Sequence, residues 1–212
     1  MKKIDWKLCL VADVEAAGGK YIVSAIEKAI QGGISLVQLR AKKLKTHEFF
    51  ELSLKAREAA KKKDIPFIIN DRVDIAFSCD ADGVHLGQDD LPLSFARKIL
   101  GKKKLIGVSV NTLKEAEEAE HRGADYLGVG PIFFTQTKKD IRPPIGLEGL
   151  RDIRKRIDLP ILAIGGVNAG NAREIIEAGA DGVAVVSAIL SSENIKKATR
   201  ELAEAVKIKG KI

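Results

Sequence analysis

Short apolar runs alternate with amphipathic segments eight times along the chain. The runs are Trp6–Ala12, Leu36–Arg40, Phe67–Asn70, Gly83–Leu86, Leu105–Val110, Tyr126–Pro131, Ile161–Gly165 and Gly182–Ser187. Their apolar character is nearly continuous, the pattern of strands buried on both faces. The segments between them carry polar and apolar residues at helical spacing. The segment from His47 to Lys63 puts Phe50, Leu54 and Ala60 on one inward stripe. Thr112-Leu113-Lys114-Glu115 forms a capping box, and Asn171-Ala172-Arg173-Glu174 is a similar polar opening. Ala81-Asp82-Gly83, Gly123-Ala124-Asp125 and Gly179-Ala180-Asp181 precede alternate strands, where they suit helix stops and tight turns. Eight strand–helix units in 212 residues predict an α/β fold, a (β/α)8 TIM barrel near its minimum size, as one domain over residues 1–212. A doubly wound open sheet is the alternative, but no G-x-G-x-x-G follows the first strand.

Composition changes this picture little. A hydrophobic fraction of 45% and a charged fraction of 31% are ordinary for a globular domain. No apolar run approaches the length of a membrane span, and the run from Leu8 to Ala12 is too short for a signal peptide. Cys9 and Cys79 lie in apolar contexts and read as core thiols, which points to a reducing cytoplasm. The net charge of +7 comes partly from lysine runs at 61–63 and 102–104, which follow helical segments. No aromatic residues interleave with them, so a nucleic-acid partner is not expected. A mild positive field steers phosphorylated small molecules instead. The oligomeric state is not legible.

In such a barrel, chemistry belongs at the C-terminal ends of the strands. Asn70 and Asp71 stand where the third strand opens into a loop. Asp90 follows the fourth strand, nineteen residues after Asp71. Neighbouring strand ends would bring both carboxylates around one hard cation such as Mg2+. Helix capping is the competing role for each, and Asp89 competes with Asp90 for the metal. Gln38 and Arg40 share inward parity, and Lys42 continues it into the loop. A buried arginine so flanked calls for an anion, and a pyrophosphate fits its fork; the alternative is an ion pair with one of the aspartates. His85 lies mid-strand as a core or supporting histidine, and His47 and His121 form no metal spacing with it. Ser109 faces inward with Gly107 and Asn111 but lacks a histidine–acid partnership, so hydrogen bonding is its expected role. Thr135, Thr137 and Lys138 sit on a long loop suited to closing over an anion, or simply solvated. Strands 7 and 8 end in Ile164-Gly165-Gly166-Val167-Asn168 and Val185-Val186-Ser187-Ala188. Both are expected to run directly into helices whose N–H groups can take phosphate.

Taken together, Val37-Gln38-Leu39-Arg40 with Lys42, Asn70-Asp71-Arg72-Val73-Asp74, Gly83 to Gln88 with Asp90, Gly107-Val108-Ser109, Gly130-Pro131-Ile132-Phe133, Thr135-Gln136-Thr137-Lys138, Ile164-Gly165-Gly166-Val167 and Val186-Ser187 closely resemble the thiamin phosphate synthase family over roughly residues 8 to 190. That resemblance implies a Mg2+-dependent transferase joining hydroxymethylpyrimidine diphosphate to a thiazole phosphate, with release of pyrophosphate. It implies that Gln38, Arg40, Lys42 and Asn70 hold the pyrimidine diphosphate and that Asp71 and Asp90 bind Mg2+. Ser109 and Lys138 would contact the departing pyrophosphate or the pyrimidine. Thr135, Thr137, Gly166, Val186 and Ser187 would bind the thiazole phosphate. Ala41 stands where the family usually has glutamate, Asn111 where histidine is common, and Phe134 where proline is frequent. A related thiazole tautomerase needs no metal and is the nearest rival; a non-catalytic phosphometabolite-binding barrel is another.

Overall fold

The computed structural model describes residues 4–18, 21–135 and 142–207. Among these residues, eight parallel strands close into a barrel in sequence order. They are β1 (Leu8–Asp13), β2 (Leu36–Arg40), β3 (Phe67–Asn70), β4 (Gly83–Leu86), β5 (Leu105–Val110), β6 (Tyr126–Val129), β7 (Ile161–Ile164) and β8 (Gly182–Val185). The helices are α1 (Ile22–Gly32), α2 (Thr46–Lys61), α3 (Val73–Ser78), α4 (Leu93–Leu100), α5 (Leu113–His121), α6 (Gly146–Arg154), α7 (Ala172–Glu177), α8 (Ser187–Leu190) and α9 (Ile195–Ala205). The expected barrel is therefore present, with small shifts at strand ends. β1 begins two residues late, and β7 stops at Ile164 because Gly165 turns into the left-handed region at φ 96°.

Alternation along each strand feeds two cores. Cys9, Val11, Leu36, Ile68, Leu105 and Tyr126 point into the barrel. Leu10, Val37, Leu39, Phe67, Ile69 and Val84 pack beneath the helices. Burial on both sides is what makes the strands read as continuous apolar runs. Both cysteines are buried and free.

The helical stripe on α2 differs from expectation. Phe49, Ser53, Ala56, Ala59 and Ala60 are its buried residues, whereas Phe50 is half-buried and Leu54 is 40% exposed. Ser53 can turn inward because its hydroxyl donates to the Phe49 carbonyl at 2.7 Å. The capping box before α5 is present: Glu115 N–H donates to Thr112 Oγ1 at 3.2 Å, and Thr112 N–H to Glu115 Oε2 at 3.3 Å.

The repeated turns pin one end of the barrel. Asp82, Asp125 and Asp181 accept from the N–H groups of Phe67, Ile106 and Ile161 at 2.8, 2.7 and 2.8 Å. Gly123 and Gly179 supply the left-handed helix stops at φ 86° and 112°, but the first copy uses Asp80 at φ 52° rather than Gly83. Gly83 has a different task, since a Cβ there would lie 2.2 Å from the Leu105 carbonyl oxygen. Trp6 stacks on Tyr126 inside the barrel with ring centroids 4.9 Å apart. The strand C-termini are left to form the opposite mouth.

Candidate active site

Inward parity gathers the expected residues of β2 to β5 at that mouth. Gln38 Nε2 donates to Asn70 Oδ1 at 2.6 Å, joining β2 to β3. Arg40 pairs with Asp13, the register neighbour at the end of β1, and lies 3.9 Å from Glu15. Sequence alone pointed to the aspartates after β3 and β4 as its alternative partners. Asp13 is 3% exposed, and Arg40 is the cation that makes its burial tolerable. Glu15 also accepts from the N–H groups of Lys42 and Lys43 at 3.3 and 2.9 Å. It thus brings a carboxylate to the loop where Ala41 has none.

Lys42 pairs with Asp71. Asp71 takes φ 65°, and its N–H donates to the His85 carbonyl at 2.8 Å, hooking the loop onto β4. Asp90 Oδ2 accepts from Gly87 N–H at 2.7 Å. Neither carboxylate caps the next helix: α3 starts behind Arg72 and α4 behind Pro92, both without a side-chain cap. Burial, then the hydrogen bond and charge of the adjacent Asp71, push the Asp90 carboxyl above its usual range. Two facing carboxylates at a loop edge suit a hard cation. Mg2+ takes one or two carboxylates and completes its shell with water and phosphate oxygens. Among the described residues no cluster of three or more His, Cys, Asp or Glu side chains forms a fuller cage. The donor set therefore fits a metal shared with a phosphorylated substrate. Asp89 lines the main cavity instead of joining the pair.

His85 is buried at the centre of the barrel. Its Nε2 lies 2.9 Å from Ser109 Oγ and its Nδ1 3.0 Å from the Tyr126 hydroxyl. Glycine makes the room: a Cβ at Gly107 would lie 2.1 Å from Tyr126 Cζ, and one at Gly128 2.8 Å from His85 Cε1. Burial, reinforced by Cys9 and Asp125, raises the Tyr126 phenol well above its ordinary value. When that phenol donates to Nδ1, Nε2 carries the proton and donates to Ser109. Ser109 thus has a histidine partner, which sequence reading missed; with Nε2 protonated, that partner orients the hydroxyl rather than deprotonating it. Gln88 Nε2 donates to the Ser109 carbonyl at 2.7 Å.

Across the mouth lies a cavity of about 670 Å³, and Ser109, Thr135, Gly166, Val186 and Ser187 line it. Gln38, Arg40 and Asn70 line an adjoining recess of about 40 Å³, which shares Ser109, Gly128, Ile164 and Val186 with the cavity. Thr137 and Lys138 lie outside the described residues. β8 passes through Val186 straight into α8, but β7 does not run directly into α7. Residues 165–171 intervene, with Gly165 and Gly166 both left-handed at φ 96° and 68°. A Cβ at either would meet Pro131 or Phe133 at 2.5 or 2.7 Å. Asn171 does not cap α7 with its side chain. It reaches back instead, accepting from Asn168 N–H at 2.8 Å and donating to the Gly166 carbonyl at 2.9 Å. Asp13, Tyr126 and the cavity-lining Arg142 were not singled out from sequence, and Gln88 was given no role there. Only an acid closing the first strand, and the glycines facing His85, hinted at the first two.

Comparison with known proteins agrees along the whole barrel. A family model described as thiamine monophosphate synthase matches residues 8–189. The thiamine-phosphate synthase of Clostridium novyi is 48% identical over 200 residues, covering 94% of this chain and 98% of that protein. The thiamine-phosphate synthase of Chloroflexus aurantiacus is 48% identical over 205 residues, covering 97% and 94%. The solved thiamine phosphate pyrophosphorylase of Pyrococcus furiosus superimposes with a TM-score of 0.87 at 40% identity, covering 95% of this chain and 96% of that one.

Proposed function

The chain belongs to the thiamine monophosphate synthase family and is a transferase of thiamine biosynthesis; on that premise we propose how its residues divide the synthesis of thiamine phosphate. The hydroxymethylpyrimidine diphosphate occupies the side built by β2 to β4. The Gln38–Asn70 pair retains one carbonyl and one amide group complementary to an aminopyrimidine edge. Arg40, held in place by Asp13, and Lys42 take the diphosphate, for which a fixed guanidinium fork is well suited. Asp71 and Asp90 hold Mg2+, which when bound neutralises charge on the diphosphate oxygens. Lys138 contacts the departing pyrophosphate, and Ser109, oriented by His85, contacts the pyrimidine or its leaving group. Thr135, Thr137, Gly166, Val186 and Ser187 seat the thiazole phosphate across the cavity.

The bond from the exocyclic methylene to oxygen breaks, and its electron pair leaves with pyrophosphate. The electron-rich aminopyrimidine stabilises the resulting carbocation, and the thiazole nitrogen attacks it. This route requires no protein nucleophile. The protein's contribution is to align two substrates and shield the cation from water.

One observation carries this reading: the recess lined by Gln38, Arg40 and Asn70 of β2 and β3 adjoins the cavity lined by the glycine turn after β7, and the two share Ser109, Gly128, Ile164 and Val186. It argues for two differently charged substrates rather than the single thiazole of a tautomerase. Product formation from both substrates, with Mg2+ and in excess EDTA, tests it. Product should need both substrates and divalent metal; full turnover in EDTA would rule out Asp71 and Asp90 as metal ligands for the reaction. No helix among the described residues is long and apolar enough to cross a membrane. Two buried free thiols support work in a reducing cytoplasm.

A further inference from the structure

Asn111 joins both ends of the connection between β6 and α6. Its Nδ2 lies 3.2 Å from the Gly130 carbonyl oxygen, just past β6, and 3.3 Å from that of Pro143, just before α6. Its backbone N–H donates to Glu115 Oε2 at 2.7 Å, and Glu115 Oε1 pairs with Arg142 on the same connection. Burial pushes the Glu115 carboxyl up, but the Arg142 guanidinium and the Asn111 N–H outweigh it and hold it below the usual carboxylate range. One side-chain amide and one carboxylate therefore grip three points of a single connection.

That connection is in turn bonded to the end of β7. Ile132 N–H donates to the Ile164 carbonyl at 2.9 Å and Phe133 N–H to the Gly165 carbonyl at 3.0 Å. Returning from the far end, Ile145 and Gly146 N–H donate to the Pro131 and Ile132 carbonyls, both at 3.0 Å. The Gly165–Gly166 turn is moulded against Pro131 and Phe133 so closely that neither glycine has room for a Cβ. A chain of contacts thus runs from Asn111 through Gly130 and Pro143 to Ile132 and Phe133, and on to the glycine turn. The Gln38–Asn70 pair stands on β2 and β3 and the Lys42–Asp71 pair on the loops that follow them, outside that chain.

We propose that Asn111, supported by Glu115 and Arg142, is a positioning residue for the Gly165–Gly166 turn, and so sets the affinity for the phosphorylated thiazole. The proposal rests on the seating of the thiazole phosphate beside that turn. Asn111 acts by holding the β6–α6 connection at a fixed height against β7. Without that brace the turn loses the surface that shapes it, and its phosphate-facing groups drift. A merely structural role would lower stability and impair both substrates alike.

Asn111→Asp keeps the size of the side chain but cannot donate to two carbonyls. Glu115→Gln keeps an acceptor for the Asn111 N–H but loses the charge paired with Arg142. For Asn111→Asp and Asn111→Ala, KM for the thiazole phosphate should rise about tenfold, equivalent to about 1.4 kcal/mol. For Glu115→Gln the rise should be about threefold, as expected for a partly exposed pair. KM for the pyrimidine diphosphate should stay within about twofold in every variant, the range left by sites that share no partner. Calorimetric binding of the thiazole phosphate alone should weaken in parallel. Melting curves run alongside, and if the Asn111 variants do not fold, Glu115→Gln must show the one-sided change by itself. Equal shifts in both KM values, or an unchanged thiazole phosphate KM, overturn the proposal. Wild-type protein that fails to bind the thiazole phosphate overturns the site placement and this proposal with it. Wild-type binding with equally tight variants overturns this proposal alone.

Discussion

Gly107→Ala adds one methyl group at the most crowded point of the barrel. Its Cβ would lie 2.1 Å from Tyr126 Cζ, 2.4 Å from Tyr126 Cε1 and 2.6 Å from His85 Nδ1. Neither neighbour can step aside cheaply: Tyr126 is fully buried and stacked on Trp6, and His85 is 7% exposed. Overpacking a filled core costs about 1–3 kcal/mol. Separating the His85–Tyr126 hydrogen bond adds about 1 kcal/mol. Alanine returns roughly 0.5–1 kcal/mol by restricting the unfolded chain. The net loss is about 1–3 kcal/mol, or roughly 3–10 °C in Tm for a chain of this size. Turnover should fall as well, because a displaced imidazole no longer orients Ser109. Calorimetric melting and steady-state kinetics read both effects. Tyr126→Leu in the same background removes the ring that the new methyl meets. The double variant should therefore be at least about 1 kcal/mol more stable than the two single losses added together. A Gly107→Ala protein that melts within about 2 °C of wild type and turns over normally would refute the tight packing of His85 against Tyr126.

Three further outcomes are expected. Asp71→Asn should lower turnover more than tenfold at fixed Mg2+, on the order of a few kcal/mol of lost charge stabilisation; an unaltered Mg2+ titration counts against its metal role. Arg40→Lys keeps the charge but not the fork, so it should impair use of the diphosphate more than binding of the thiazole phosphate; equal losses would reduce Arg40 to the structural partner of Asp13. Asp90 has a raised folded pKa, so its favourable contribution is complete below the usual carboxylate range and is lost as pH rises through the raised value. Metal-free Asp90→Asn, which stays neutral, should accordingly melt higher than wild type at pH 7, with the gain shrinking toward about pH 4; a gain that grows on acidification would contradict the sign.

The barrel was legible in the chain because its signals are local. Continuous apolar runs follow from burial on both faces of a parallel strand, and the Thr112–Glu115 box lies within one helical turn. Parity along β2 was enough to send Gln38 and Arg40 inward together. The β7 turn and the α2 stripe were misread where a side chain bonds to nearby backbone. Ser53 hides its hydroxyl on the Phe49 carbonyl, and Asn171 turns back to the Gly166 carbonyl rather than forward to its helix. Partners across the barrel were beyond reading. Arg40 meets Asp13 from 27 residues away and His85 meets Tyr126 from 41, separations that carry no period. Closure of the sheet decides those meetings by placing strand ends side by side. The same closure explains Gly107 and Gly128: His85 and Tyr126 occupy the space a side chain at Gly107 would need, and His85 occupies that at Gly128.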